Sequence, residues 1–165
     1  MQGLRRARLT ILAFTLSLLV LASVAASAGP GGRGSDRIAV VRGRSMEPIL
    51  HTGDIVFLVH KDPGSIKVGD VVVYREGATF IIHRVVYKYR YADRWCYVVW
   101  GDNNPIPDPG DPMECGVVSV VNPATHEVLT GVSGIPYSWI VGVVYTVHDS
   151  ILKIPYLGGL ALLAR

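Results

Sequence analysis

An uncharged stretch of 20 residues near the N-terminus, from Leu9 to Ala28, constrains this chain more than any other feature. At 1.5 Å of rise per residue, a helix of that length extends about 30 Å, which matches the hydrocarbon core of a bilayer. Arg5, Arg6 and Arg8 lie just before it, and such basic flanks stay in the cytoplasm. We therefore expect a single-pass helix over residues 9–28 in the cell membrane. Residues 1–8 would be cytoplasmic and everything after the helix extracytoplasmic.

A cleaved secretory signal is the alternative interpretation of the same stretch. Ala26, Ser27 and Ala28 have the small-x-small form of a cleavage site. The apolar run is longer than the roughly 7–15 residues typical of such signals, which favours an uncleaved anchor. The glycine-rich residues 29–37 that follow are predicted to form a flexible tether.

The charge pattern argues against a nucleic-acid partner. The net charge is +3, and Arg5, Arg6 and Arg8 account for all of it, because the rest of the chain holds 13 basic and 13 acidic residues. No basic stripe is available to follow a phosphate backbone. Only 18% of residues are charged, against about 25% in typical soluble domains, which again indicates membrane attachment.

Residues 38–150 are predicted to form a mainly β domain with antiparallel sheets. Short segments rich in Val, Ile and Tyr alternate with clusters of Gly, Pro, Asp and Asn, the pattern of such domains. The predicted strands are Ile38–Val41, Ile55–His60, Val71–Tyr74, Phe80–Tyr91, Tyr97–Trp100, Val117–Val121 and Ile140–Val147. Residues 103–112 carry four prolines, which cannot donate to a ladder, so they are predicted to form a loop. The apolar residues 151–165 are too short to span a bilayer and should lie at the membrane interface or pack on the domain.

A candidate nucleophile is Ser45, which follows the first predicted strand and precedes the turn at Pro48. Such a position presents a side chain outward on a stiff backbone, although serine is also common in ordinary turns. A serine hydroxyl needs a base to accept its proton. His83 on the long predicted strand is one candidate, His51 just after the serine turn is a rival, and each could instead be a structural histidine.

Two carboxylates follow the strand that ends at Trp100. Asp102 and Asp108 lie six positions apart on the proline-rich loop, and an acid is needed to orient a catalytic imidazole. Asp102 could equally close the strand in an Asx-turn. A structural role alone explains Asp108 less well, because its loop is longer than a simple connection between two strands needs. No histidine spacing typical of a zinc site is present, so neither a metal nor another cofactor is predicted.

Cys96 and Cys115 are too few for a disulfide scaffold and lack metal-site spacing. An oxidising exterior permits a bond between them, but the sequence does not decide whether it forms.

Taken together and in order, five motifs resemble the motif boxes of type I signal peptidases. They are RSMEP at 44–48, GD at 53–54, GDVVVY at 69–74, IHRV at 82–85 and GDNN at 101–104 followed by Asp108. The resemblance covers about residues 38–142 and is closest to the archaeal and endoplasmic-reticulum branch, since the bacterial branch has a lysine in place of His83. It implies a β-domain at the membrane surface that cleaves signal peptides from exported preproteins.

The resemblance also implies roles for individual residues. Ser45 matches the nucleophile and His83 the general base, while Asp108 matches the acid usually taken as essential and Asp102 a supporting acid. Two positions depart from the family. Ile49 stands where relatives often have Thr or Ala. Many relatives have a small or hydroxyl residue two positions before the nucleophile, where a hydroxyl can help the oxyanion hole; here that residue is Gly43, and Arg44 directly precedes the serine. We therefore expect the backbone N–H of Ser45 to serve as an oxyanion donor.

We expect a substrate to bind extended beside a strand, with shallow pockets selecting a small-x-small site. Candidate pocket walls, each of which could instead be ordinary core, are Met46, Ile49, Phe80, Ile81 and Ile82. The expected partners are signal-peptide-bearing preproteins, the lipid bilayer and the protein-export machinery. Two alternatives stay open: a Ser/Lys-type peptidase using Lys67 or Lys88, and a membrane-tethered β-module that binds extended peptides without cutting them.

Overall fold

A computed structural model describes residues 37–158 of the chain. The predicted membrane helix over residues 9–28, the cytoplasmic residues 1–8, nearly all of the tether and residues 159–165 lie outside this range. Within the range, helices are too short or too polar to cross a membrane.

Short strands make up most of the described residues, so the prediction of a mainly β, antiparallel fold is confirmed. The strands are β1 (Arg37–Val40), β2 (Ile55–Val59), β3 (Val71–Glu76), β4 (Thr79–Tyr91), β5 (Arg94–Trp100), β6 (Val118–Val121), β7 (Val128–Val132), β8 (Ile135–Pro136), β9 (Ile140–Val144), β10 (Thr146–Val147), β11 (Ser150–Ile151) and β12 (Lys153–Ile154). A four-residue helix, α1, spans Pro112–Cys115, and 3₁₀ turns lie at Pro63–Ser65 and Tyr137–Trp139.

Eight of the strands form one sheet in the order β1-β2-β9-β3-β4-β5-β8, with β12 pairing on β2. Strands β6 and β7 form a separate hairpin, and so do β10 and β11. The long strand β4 changes neighbours along its length: residues up to Arg84 pair with β3, and residues from Arg84 onward pair with β5. One strand edge over residues 79–83 is therefore left without a β5 partner.

Both faces of the large sheet are buried at its centre. On β3, Val71 and Val73 pack into one apolar cluster, and Val72 and Tyr74 pack into a second. This explains why β3 has an unbroken apolar sequence instead of an alternating one. Because packing on both faces fixes β3, the neighbouring strand β4 and its side chains have a rigid support.

Two differences from the predicted strands have local causes. The segment predicted as one strand over Ile140–Val147 divides at Tyr145, whose N–H donates to Phe57 in β2 while residues 146–147 turn away to pair with β11. His148 and Asp149 both have positive φ at that tight hairpin. Strand β7 was missed, because Gly131 and polar residues interrupt its apolar pattern.

The C-terminal residues up to 158 are held next to the turn that follows β1. Asp54 is fully buried and accepts hydrogen bonds from Lys153 Nζ at 2.7 Å, from the His51 N–H at 3.0 Å and from the Tyr156 N–H at 3.2 Å. Burial by itself would raise the pKa of Asp54, but these donors and the Lys153 charge outweigh it and lower the pKa below its usual value.

A disulfide joins Cys96 in β5 to Cys115 at the end of α1. It settles the question that the sequence left open. The bond closes a loop of 19 residues, and that loop contains both Asp102 and Asp108.

Replacing Asp54 by Ala should destabilise the domain by about 3 kcal/mol, because two backbone N–H groups lose their acceptor and the Lys153 ammonium loses its carboxylate partner, keeping the Ile49 carbonyl. Chemical denaturation of the full chain at neutral pH measures the loss. Since the folded pKa is lowered, the wild-type contribution is complete above about pH 4 and is lost at lower pH. Asp62→Ala is the matched control, because that carboxylate is 86% exposed. An equal effect of both changes would contradict the stabilising role of Asp54.

Candidate active site

Ser45 lies on a turn that directly follows the first strand. Gly43 has φ of +106°, a conformation that favours glycine. Its N–H and C=O both bond the Thr52 hydroxyl, at 3.0 and 2.8 Å. Met46 next to the serine is buried in the first apolar cluster. The turn is therefore fixed on both sides of Ser45, and among residues 37–158 the Ser45 N–H has no hydrogen-bond acceptor.

His83 is brought to this serine by strand β4. Its ring is buried, with 6% of the residue exposed, and its Nε2 atom lies 2.8 Å from Ser45 Oγ. This is hydrogen-bond distance, as a general base requires of its nucleophile. The two residues are 38 positions apart in the sequence, so the contact is a product of the fold.

Asp108 contacts the other nitrogen of the same ring. His83 Nδ1 hydrogen-bonds to Asp108 Oδ2, and the Tyr74 hydroxyl donates to that same oxygen at 2.8 Å. Burial first, and the Asp108 charge second, raise the pKa of Tyr74. Tyr74 therefore keeps its proton and remains a donor. The Asp108 N–H also donates to the Val99 carbonyl. Hydrogen bonds therefore fix both the backbone and the carboxylate of Asp108.

Asp102 occupies a different place. Its two carboxylate oxygens accept from Arg84 Nε and Nη2 at 2.8 and 2.7 Å. The hydrogen bond to Asp102, which exceeds the opposing effect of burial, raises the pKa of Arg84. Of the two candidate acids, Asp108 is the one that hydrogen-bonds to the His83 ring in the structure.

Backbone contacts join the serine turn to the loop that bears the acids. The Asn103 N–H donates to the Ser45 carbonyl at 2.7 Å, and Asn103 Nδ2 donates to the Arg44 carbonyl at 3.2 Å. Gly101 lies where the two meet: a methyl group there would come within 2.8 Å of both His83 Nε2 and the Ser45 carbonyl oxygen. Only glycine fits at that position.

The rival bases lie elsewhere. His51 packs beside Tyr156, and its N–H bonds to Asp54. Lys88 Nζ bonds the carbonyls of Gly64 and Ile66 at 2.7 Å each. Burial lowers the pKa of Lys88, but its ammonium is engaged away from the serine. Within residues 37–158, His83 is the ionisable side chain hydrogen-bonded to Ser45 Oγ.

An open groove of about 380 Å³ adjoins the Ser45–His83 pair and is lined by residues 39–42 and 79–83. Phe80, Ile81 and Ile82, three of the predicted pocket walls, line it. Met46 does not, because it is buried in the core with 1% exposed, so the ordinary-core alternative describes it. Ile49 is 45% exposed but also lies outside this lining. We call this feature the β1–β4 groove.

Sequence reasoning gave no role to several residues that shape the site, namely Tyr74, Arg84, Gly101 and Asn103. All four stand inside the motifs that carry the resemblance. Their place in these motifs is the one sequence signal that could have identified them. Their roles come from contacts that depend on which strands become neighbours, and the sequence does not show this.

Comparison with known proteins agrees with a serine-type peptidase. The Peptidase S24-like family model matches residues 22–93, a range that holds Ser45 and His83 but neither acid. The signal peptidase complex catalytic subunit SEC11 of Scheffersomyces stipitis is 43% identical over 75 residues, covering 44% of this chain and 45% of the relative. SEC11 of Lodderomyces elongisporus is 44% identical over 73 residues, covering 43% of each. The resemblance to type I signal peptidases is thus confirmed, and the match spans less than half the length of these relatives.

Replacing Gly101 by Ala should slow acylation of Ser45 by a serine-directed probe at least tenfold, because the added methyl group displaces His83 or the serine turn. The rate of covalent labelling, followed by mass spectrometry of the full chain, measures the effect. Gly64→Ala is the control, since a methyl group at Gly64 meets its nearest neighbour, Trp95 Nε1, at 3.8 Å. Equal labelling of both variants and the wild type would show that the close approach at Gly101 has no role.

Proposed function

We propose that this chain is a membrane-anchored serine endopeptidase that removes N-terminal signal peptides from exported preproteins after small-x-small sites. The observation that carries the proposal is a series of two hydrogen bonds, from Ser45 Oγ to His83 Nε2 and from His83 Nδ1 to Asp108 Oδ2. The similarity to proteins named as signal peptidase complex catalytic subunits supports the choice of substrate.

In the proposed mechanism, His83 takes the proton from Ser45 Oγ as that oxygen attacks the carbonyl carbon of the scissile bond. The imidazolium then gives the proton to the leaving amine, and a water molecule activated by His83 hydrolyses the acyl-enzyme. Asp108 orients the ring and stabilises its positive charge. The Ser45 N–H, free of other acceptors within residues 37–158, donates to the oxyanion.

The β1–β4 groove is the proposed site for the signal peptide near its cleavage point. Strand β1 pairs with β2 along one edge, and residues 79–83 pair with β3 along one edge. Their other edges have no strand partner in the described part of the chain. An extended peptide lying between them could form ladder hydrogen bonds with either strand, and its side chains would contact Phe80, Ile81 and Ile82.

Membrane attachment belongs to the same proposal. The apolar residues 9–28 would anchor the domain, with residues 1–8 in the cytoplasm, the tether over 29–37 and the catalytic domain outside. An anchor keeps the site where signal peptides emerge from the bilayer, which raises their effective concentration. The bilayer, the preproteins and the protein-export machinery are the proposed partners.

Replacing Ser45 by Ala in the full chain should reduce processing of a preprotein by more than about 1,000-fold, because the nucleophile is lost. His83→Ala should have a similar effect, since members of such a triad act as a unit. Processing is measured by the gel shift of a preprotein in membrane vesicles. Ser65→Ala, at an exposed serine in a 3₁₀ turn, is the control. Normal processing by the Ser45 variant would refute the proposed nucleophile.

The two acids should differ strongly. Asp108→Ala should lower kcat by at least about 1,000-fold, because His83 loses the partner that fixes its tautomer. Asp102→Ala should cost no more than about tenfold, because it disturbs Arg84 and the loop but leaves the His83 contact in place. Steady-state kinetics on a signal-peptide substrate compare them, with circular dichroism to verify folding. The reverse order of damage would show that Asp102 orients the ring.

A further inference from the structure

A second, larger groove of about 680 Å³ lies beside the site. Its floor and one side come from residues of β4, β5 and the loop after β5, and its opposite side comes from the tip of the β6–β7 hairpin. The lining includes Arg84, Trp100, Asp102, Asn104, Ala124 and Glu127. We call it the hairpin groove.

The hairpin groove adjoins the Ser45–His83 pair through Gly101, although neither Ser45 nor His83 belongs to its lining. Along β4, His83 is the last residue that lines the β1–β4 groove, and Arg84 is the first that lines the hairpin groove. Gly101 lines the hairpin groove as well, and its missing methyl group would contact both His83 and the Ser45 backbone. The hairpin groove therefore begins beside the Ser45–His83 pair, within reach of a chain that passes Ser45.

We propose that the hairpin groove binds the polypeptide segment on the far side of the cleaved bond, the first residues of the mature protein. The inference rests on the proposed function, with the signal side of the bond in the β1–β4 groove. An extended chain advances about 3.3 Å per residue, so a segment of a few residues fits a groove of this size. Contacts to it add binding energy remote from the bond, which accelerates its cleavage.

The walls of this groove are already held in place. The Asn122 side chain accepts from the Ala124 and Thr125 N–H groups at 2.8 and 3.2 Å, and the Asn122 N–H donates to the Glu127 carbonyl at 2.8 Å. On the facing side, Arg84 bonds both oxygens of Asp102 and the Gly69 carbonyl. A preformed groove loses little entropy when it takes up a flexible segment.

The charge of the groove gives the segment a preferred chemistry. Arg84 and Asp102 neutralise each other. Glu127 also lines the groove, and among the described residues its carboxylate pairs with no cation, accepting only from the Thr125 hydroxyl at 3.2 Å. The groove is therefore left with one net negative charge. It should favour a basic over an acidic residue shortly after the cleaved bond.

The first test compares two substrates with the same signal sequence, one ending in a small fluorogenic amide at the cleavage point and one continuing for five mature residues. The full chain in detergent micelles should cleave the extended substrate with about tenfold higher kcat/KM. Ala124→Trp, which fills the groove from its exposed turn, should abolish that difference and leave the short substrate unaffected. Met113→Trp, at a residue that is 92% exposed and outside the lining, is the matched control.

The second test reverses a charge without adding bulk. With extended substrates that differ only by Lys or Glu in the mature segment, the wild type should prefer Lys by about threefold, as expected for an exposed charge pair. Glu127→Lys should invert that preference, and 1 M salt should weaken it in both proteins.

The outcomes separate the two proposals. If the wild type cleaves both substrates equally, or if Ala124→Trp slows both substrates to the same degree, the groove assignment is overturned while the peptidase function stands. An unchanged Lys preference in the Glu127→Lys variant would also overturn the assigned charge preference. If the wild type cleaves neither substrate, the proposed function and the groove assignment fall together.

Discussion

The hydrogen bond from the Asn103 N–H to the Ser45 carbonyl is the contact on which the site depends, because it joins two loops that are far apart in the sequence. The serine turn comes from the end of β1, and the acid-bearing loop comes from the end of β5. These two loops approach each other so closely that Gly101 has no room for a side chain. His83 is then enclosed between them, so its two nitrogens can face the serine and the acid at once. Each loop fixes the other.

The large sheet supplies the rigid element against which these loops are positioned. Its central strand β3 is buried on both faces and carries Tyr74, whose hydroxyl reaches Asp108 from the core. His83 lies on the adjoining strand, opposite Val72 in the β3–β4 register. Burial keeps the Tyr74 hydroxyl protonated by raising its pKa. The acid thus receives two donors on one oxygen and has little freedom to rotate away from the imidazole.

The sequence predicts the strands and the participants better than the contacts between them. Apolar segments between turn-forming clusters predict most strands. They do not predict β7, whose pattern Gly131 weakens, nor the two-residue strands β8, β11 and β12. Ser45, His83 and the two acids stand out by type and position, and the resemblance already ranks Asp108 above Asp102. The physical reason for that ranking needs the structure: Asp108 contacts His83, whereas Arg84, next to His83 on β4, bonds Asp102. Met46 is a candidate pocket wall only because its side chain is apolar, and an apolar side chain fits the core equally well; the structure buries it there.

The acid-bearing loop shows how a long connection can hold a precise position. Holding a loop of this length in one conformation is costly, because every ordered residue costs about 1–2 kcal/mol of backbone entropy. A flexible loop would therefore hold Asp108 against His83 only part of the time. Here the disulfide between Cys96 and Cys115 closes the loop. The closed loop has less conformational entropy in the unfolded chain, so ordering it on folding costs roughly 3 kcal/mol less. Prolines restrict the backbone, and Trp100 Nε1 donates to the Asn104 carbonyl at 2.9 Å. Since the same loop forms part of the hairpin groove, one set of constraints positions both the acid and the surface proposed to receive the mature segment.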